Sequence, residues 1–262
     1  MSYQILAKGI FTPKDIRISY KRDKRLPQSQ EALQFIESKW NEFVNNNSKA
    51  FNGPLFRVDE YNIISNNLIK LDLSNTDYKE FVGTRDHRFV NKFGKEHIAN
   101  PLSVGALLMT QDNKIILGKR SPADTDIGKN KISVIAGYLD PNNDVYKRTN
   151  MVDVFRAVRR EVYEEIGITD KNIVDLICIG LIDNKKYNQI NLPFYTKLDI
   201  SAEQIKTSIV APQEKEFSEI ITIDSSVRSI ARFLDSYKGE EFSGIVIPTL
   251  TIYKDLISQN LL

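Results

Sequence analysis

The chain has 262 residues, 41% of them hydrophobic, which supports one large domain or two modest ones with a real core. Lys and Arg number 36 against 34 Asp and Glu, a net charge of +2 with no long basic run, so a nucleic-acid partner is not expected. The single cysteine, Cys178, lies in the apolar run VDLICIGLI, and no apolar run approaches the ~18 residues of a membrane span. These features predict a buried thiol, no disulfide framework, no signal peptide, no membrane partner and a cytoplasmic location.

Residues 1–100 read as a small α+β unit and 101–262 as a second, larger domain. In the first, YQILAKGIF, LFRVDEYNII and NLIKLDL have strand character. An amphipathic helix is expected over about 29–45, with Leu33, Ile36, Trp40 and Phe43 along its apolar face. A short helix around TDYKEFV follows, and the polar stretch 83–101 reads as the connection between the units. From 101 the pattern PLSVGALLMT–QDN–KIILGKR predicts a β-hairpin, and ISVIAG (132–137) a further strand. A helix over about 151–166 follows, with Met151, Phe155, Val158, Val162 and Ile166 as its buried stripe, Asn150 as its cap and Gly167 just past its end. Strands at 174–183 and 189–199 flank NKKYN. Next come a capping-box helix opened by SAEQ, the strand FSEIITID, the helix SSVRSIARFLDS and a last helix near 245–259. Mixed strands with helices on both sides predict an α/β/α sandwich.

One stretch does not fit an ordinary helix end. REVYEEIGI (160–168) places Glu161, Glu164 and Glu165 at i, i+3 and i+4 beside the buried stripe. Carboxylates are unfavourable near a helix C-terminus and repel across one turn, by roughly 3 kcal/mol per pair at an effective dielectric near 20. A solvated face balanced by Arg159 and Arg160 would reduce that to a few tenths of a kcal/mol.

The stretch matches the core of the Nudix box, R-E-U-x-E-E-x-G-U with U aliphatic, at every specified position. The resemblance implies a Nudix-type α/β/α sandwich in which Glu161, Glu164 and Glu165 hold magnesium, with manganese as the alternative. A hard cation suits such oxygen ligands. It also implies that Arg160 pairs with a glutamate and orients it, and that the Ala136 carbonyl joins the metal shell. The upstream half of the box departs from the pattern: Tyr146 and Val152 stand where glycine and glutamate are required. Gly137 is the available glycine, at the cost of an insertion of about nine residues. Asp153 reads either as a partial substitute for the glutamate or as a first-turn acid favoured by the helix dipole. The general base of the family varies, and APQEKEFSE offers Glu214, Glu216 and Glu219, with Glu216 favoured by its place before a strand.

The order LFRVDEY, TDYKEFVGT, NPLSVGALL, GKRS, the box, PFY and EKEFSEI is similar to the Nudix subfamily that hydrolyses UDP-glucose and UDP-galactose. That likeness implies a nucleotide-sugar substrate cleaved to UMP and sugar 1-phosphate, with residues 1–100 helping to form the pocket. By the same likeness Arg120 and Ser121 are candidates for diphosphate contact, and Tyr187 for stacking on a base or sugar. His87 and His97 lack metal-ligand spacing. ADP-ribose or another nucleoside diphosphate derivative is the alternative substrate class. A non-catalytic nucleotide-binding module is the alternative of another kind, although all three box carboxylates are present.

Overall fold

The computed structural model describes residues 3–64, 68–121, 128–208, 216–237 and 241–262. Its first part contains β1 (Gln4–Phe11), β2 (Ile16–Arg25), α1 (Gln30–Asn46), β3 (Pro54–Ile64), β4 (Leu68–Asp77), α2 (Tyr78–Thr84) and α3 (His87–Phe93). Then follow β5 (Leu102–Met109), β6 (Lys114–Arg120), β7 (Ile132–Ser133), β8 (Ile135–Tyr138), β9 (Val145–Tyr146), β10 (Met151–Val152) and α4 (Val154–Ile166). The remainder is β11 (Ile173–Asn184), β12 (Gln189–Leu198), α5 (Ala202–Ser208), β13 (Phe217–Asp224), α6 (Val227–Ser236) and α7 (Val246–Ser258). Among the described residues no helix is long and apolar enough to cross a membrane.

The large sheet runs β1-β11-β12-β5-β6-β13, with β7 on β6 and β8 on β5; β5 and β12 are parallel and the other pairs antiparallel. All eight residues of β5 are buried, as its unbroken apolar run requires for a strand covered on both faces. Helix α4 covers one face, seating Phe155, Val158 and Val162 in a core shared with Phe194 and Leu192. Helices α6 and α7 cover the other, through Ile230, Leu250, Ile252 and Leu256. Burial of each such side chain contributes about 1.5–3 kcal/mol. This is the α/β/α sandwich with a mixed sheet that the sequence led us to expect.

The additional layer is a three-stranded sheet, β2-β4-β3, on the α4 side; Phe56, Val58, Leu71 and Leu73 enter the same core as α4. Strand β1 lies elsewhere. It is the edge strand of the large sheet, paired with β11, and Lys8 bridges Asp255 of α7 at 2.8 Å. Strand β2 was missed in the sequence because its outward side is almost entirely charged; Ile16, Ile18 and Tyr20 point inward from an edge strand. Helix α3 lies in the stretch expected to be a connection; Asp86 caps it by accepting from Arg88 N–H, and Phe89 anchors it. On α1 the buried residues are Ala32 and Ile36, whereas Leu33 is exposed, so the apolar face is rotated from the expected one.

Two departures shape the site. The expected strand 132–137 breaks at Val134: β7 pairs with β6 and β8 with β5, so the β5–β6 hairpin stays paired only at Leu108–Ile116 and Met109–Ile115. The splayed hairpin opens the sheet at the end of β8. Helix α4 begins later than expected. Met151 is exposed in β10, Asn150 has φ 56, and the cap is Asp153, which accepts from Phe155 N–H and Arg156 N–H at 3.0 Å. At the other end Gly167 takes φ 73 and donates its N–H to the Tyr163 carbonyl, closing the helix as expected.

Candidate active site

The stripe that buries α4 also fixes where its acids go. Glu161 and Glu165 are one turn apart and buried, at 8% and 7% exposure, while Glu164 stands at the exposed rim. The Glu161 carboxyl lies directly on β8. A Cβ on Gly137 would sit 2.1 Å from the Glu161 carboxyl carbon, so only glycine leaves room for it. Ala136 N–H donates to Glu165 Oε1 at 3.3 Å, tying the second acid to the same strand end.

Arg160 holds these acids from behind. Its Nη1 donates to Glu161 Oε1 at 2.6 Å and to Glu164 Oε2 at 3.0 Å, and its Nη2 to the Tyr138 carbonyl at 3.2 Å. The other side of the guanidinium engages Asp144, with Nε at 3.2 Å from Oδ1 and Nη2 at 2.8 Å from Oδ2. Asp144 is wholly buried and also accepts from Asp140 N–H at 2.8 Å. Burial opposes the Arg160 charge, but Asp144, Glu161 and Glu164 outweigh it and keep the side chain firmly protonated.

Asp144 was not recognised in the sequence. It supplies the outer support that the pattern's missing glutamate would give, whereas Asp153 is the helix cap. The residues between them form the β9–β10 hairpin, with Val145 opposite Val152 and Tyr146 opposite Met151, and Asp153 N–H donates to the Asp144 carbonyl at 2.9 Å. The excursion closes on itself, so Asp144 stays beside Arg160 despite the inserted residues. The available signal was Asp144 itself, seven residues after Gly137 in the turn DPNND.

The favoured base candidate, Glu216, lines the same cleft of about 420 Å³ and lies against Glu165, within hydrogen-bonding reach of its carboxyl. Burial pushes Glu161 up to about 7, with Arg160 pulling down and the charges of Glu164 and Glu216 adding to the rise. Glu165 lies well above the usual carboxylate range, first through burial and then through Glu216 and Glu161. Glu165 Oε2 and Glu216 Oε2 are buried with no donor from another group, and the two carboxyls share a side-chain hydrogen bond that favours a proton between them. Three clustered acids, Glu161 and Glu165 driven toward protonation and Glu165 and Glu216 each with a buried oxygen lacking a donor, are what a divalent cation would relieve. Among the described residues no three side chains close into a ready-made metal cage. Magnesium does not demand one; it commonly binds through one or two carboxylates and completes its shell with water and substrate phosphate.

Arg120 reaches the cleft with its guanidinium 4.0 Å from Glu216 Oε2. Ser121 donates its N–H to the Glu216 carbonyl at 2.7 Å, fixing that segment, and is not among the cleft-lining residues. Tyr187 lines the cleft; its hydroxyl is 3.4 Å from Lys131 Nζ, and Lys186 Nζ stands 5.3 Å from the ring centroid. Glu214 lies outside the described residues. Glu219 is exposed on β13 and does not line the cleft. Cys178 is fully buried in β11 and its thiol is pushed up to about 12 by burial, which makes it inert. The opposite wall comes from the additional layer, through Lys49, Phe51, Leu55 and Tyr78.

Comparison with known proteins bears on this arrangement. No family model matches the chain. It is 25% identical over 243 residues to Nudix hydrolase 9 of Arabidopsis thaliana, spanning 78% of this chain and 76% of that protein. It is 21% identical over 247 residues to uridine diphosphate glucose pyrophosphatase NUDT22 of Homo sapiens (84% and 80% covered), and 21% identical over 237 residues to its Mus musculus counterpart (80% and 76%). Solved structures with partial likeness include the MutT protein of Methanosarcina mazei, with TM-score 0.37 at 17% identity over 61% of this chain and 94% of that one. Another is the Nudix domain of Shewanella oneidensis NrtR complexed with ADP ribose, with TM-score 0.37 at 12% identity over 66% and 98%. The alignments to the Arabidopsis, human and mouse relatives span 78%, 84% and 80% of this chain, well beyond the box.

Proposed function

We propose that this chain, similar over about four fifths of its length to Nudix hydrolases, is a magnesium-dependent diphosphatase of nucleoside diphosphate sugars. Its proposed substrates are UDP-glucose and UDP-galactose, and its products UMP and sugar 1-phosphate. The observation that carries the reading is the cluster of Glu161, Glu165 and Glu216, in which Glu165 and Glu216 lie against each other and each keeps a buried oxygen without a donor. The relatives named as uridine diphosphate glucose pyrophosphatases support the nucleotide, as does the cleft wall contributed by the additional layer.

In this reading Glu161, Glu165 and the Ala136 carbonyl hold the cation, with Glu164 at the rim and manganese able to replace magnesium. When bound, magnesium supplies charge neutralisation to the diphosphate oxygens and lowers the pKa of nearby water. The chain's own groups do the rest. Asp144 fixes the Arg160 fork, and Arg160 fixes the Glu161 carboxylate, so the acids are set before substrate arrives. The Ala136 N–H holds one Glu165 oxygen, and the carboxyl also meets Glu216, so the two acids present their oxygens together. Arg120 offers a cation to the diphosphate from the Glu216 side of the cleft. Glu216, half-buried, takes the proton of the attacking water on its carboxylate oxygen.

A non-catalytic binding module is the weaker reading, because the costly buried acids and their support are all retained. The deciding measurement is kcat/KM for UDP-glucose, UDP-galactose and ADP-ribose at equal magnesium, with products identified by phosphorus NMR. Both UDP-sugars should be cleaved at similar rates and ahead of ADP-ribose. ADP-ribose leading by tenfold or more would move the chain to another substrate class, and no diphosphate cleavage at all would favour the binding module.

A further inference from the structure

We propose that Asn184, at the end of β11, reads the hydrogen-bonding edge of the substrate's uracil base; this rests on the nucleoside diphosphate reading above. Asn184 is 1% exposed and lines the cleft, yet neither its Nδ2 nor its Oδ1 has a hydrogen-bond partner. Leaving a buried carboxamide unpaired on both sides costs free energy that nothing local returns. A ligand that supplies one donor beside one acceptor would recover it. Gly244 packs directly against this amide: a Cβ there would fall 2.3 Å from Nδ2, so the wall holds Asn184 in place.

Position selects which part of the substrate reaches it. Tyr138 of β8 pairs with Ser103 of β5, which pairs with Asn191 of β12, and Asn184 pairs with Gln189 one strand further on. At about 4.8 Å per strand, Asn191 is roughly 10 Å and Asn184 roughly 14 Å across the sheet from β8, the strand against which the α4 acids pack. That span passes the diphosphate and reaches the group it bears. Asn191 donates to Ser103 Oγ, and its own Oδ1 is a further buried acceptor without a partner.

Chemistry then separates base from hexose. A carboxamide presents its acceptor and donor in one plane, matching the adjacent N3–H and C4=O of uracil, in the way amides pair with base edges elsewhere. The same cleft carries Tyr138 and Tyr187, which pack on one apolar cluster with Leu55 and Phe81; flat apolar walls suit a planar ring, whereas a hexose carries hydroxyls around its circumference.

The test compares wild type with Asn184→Leu, using UMP and glucose 1-phosphate as separate probes at saturating magnesium. UMP affinity should fall at least tenfold and glucose 1-phosphate inhibition should not change. The unfolding temperature without ligand should hold or rise, because the substitution removes unpaired polar atoms; a merely structural asparagine would lower it. Should Asn184→Leu not fold, Asn184→Ala is read in the same way. Unchanged UMP affinity in a folded variant, or a loss confined to glucose 1-phosphate, would overturn the assignment while leaving wild-type diphosphate hydrolysis intact. Absence of that hydrolysis in the wild type marks instead the failure of the underlying reading, and takes this assignment with it.

Discussion

Arg160 and Asp144 meet as a two-point fork, Nε and Nη2 donating to the two carboxylate oxygens at 3.2 and 2.8 Å, and Asp144 has no exposed surface at all. A bidentate pair with one member wholly buried fixes a plane, and that plane fixes the oxygen offered to Glu161. Asp144→Asn keeps the shape and removes the charge. Magnesium affinity, measured by calorimetric titration, should fall about 10- to 100-fold as the carboxylates lose their orientation. Asp144→Ala should also cost about 3–5 kcal/mol in urea unfolding, since it leaves the guanidinium half-paired in the interior.

Glu161→Gln and Glu165→Gln should each remove most turnover, about 100-fold or more in kcat, while the fold stays intact. The amides keep volume and one acceptor but lose the charge a divalent cation needs. Without metal the variants should melt no lower than wild type, because a buried repulsion has been removed. Near-normal turnover at saturating magnesium in both variants would sink the metal site.

The same burial predicts a pH dependence. The Glu161 carboxyl is raised from its ordinary 4.5 to about 7, and Glu165 is raised well above its ordinary value, so the folded state binds these protons more tightly than the unfolded chain. Their contribution to stability is therefore fully present below pH 4.5 and is lost as pH rises through about 7. Metal-free protein followed by calorimetry should melt lower at pH 8 than at pH 5. Magnesium should raise the melting temperature at pH 8 and have little effect at pH 5, where protons compete for the same oxygens. A metal-free profile flat from pH 5 to 8 would contradict the buried-acid account.

Phe51 is 77% exposed and lines the cleft from the additional layer, an aromatic ring the core does not use. Phe51→Ala should raise KM for UDP-glucose several-fold, leave magnesium affinity unchanged, and alter stability by about 0.5 kcal/mol or less. Equal KM values would remove this layer from substrate binding. Truncation at residue 100 is a poorer test, because it also strips β1 from the edge of the large sheet.

How much of this was legible in the sequence follows from what each residue contacts. Glu161, Gly167 and the apolar positions of α4 are read from local periodicity, because one helix carries all of them. The helix start was misplaced at Asn150 because Met151 continues the apolar period, and only the β9–β10 pairing shows that it belongs to a hairpin. Asp144 was missed because its partner, Arg160, is brought to it by tertiary structure, and an Asp in a turn reads locally as a turn former. Strand β2 was hidden by its charged outward side, which only its edge position explains.

The β9–β10 hairpin leaves the chain at Asp144 and returns at Asp153, with the two ends held by a backbone hydrogen bond of 2.9 Å. Its tip can therefore be lengthened without moving anything at its base, and doubling such a loop costs only about 0.6 kcal/mol in closure entropy. A short peptide tag or a fluorophore-bearing segment grafted between Lys147 and Arg148 would sit on a stalk rooted directly behind the glutamates. Such a reporter would give an optical handle on the glutamates from a position outside the cleft lining.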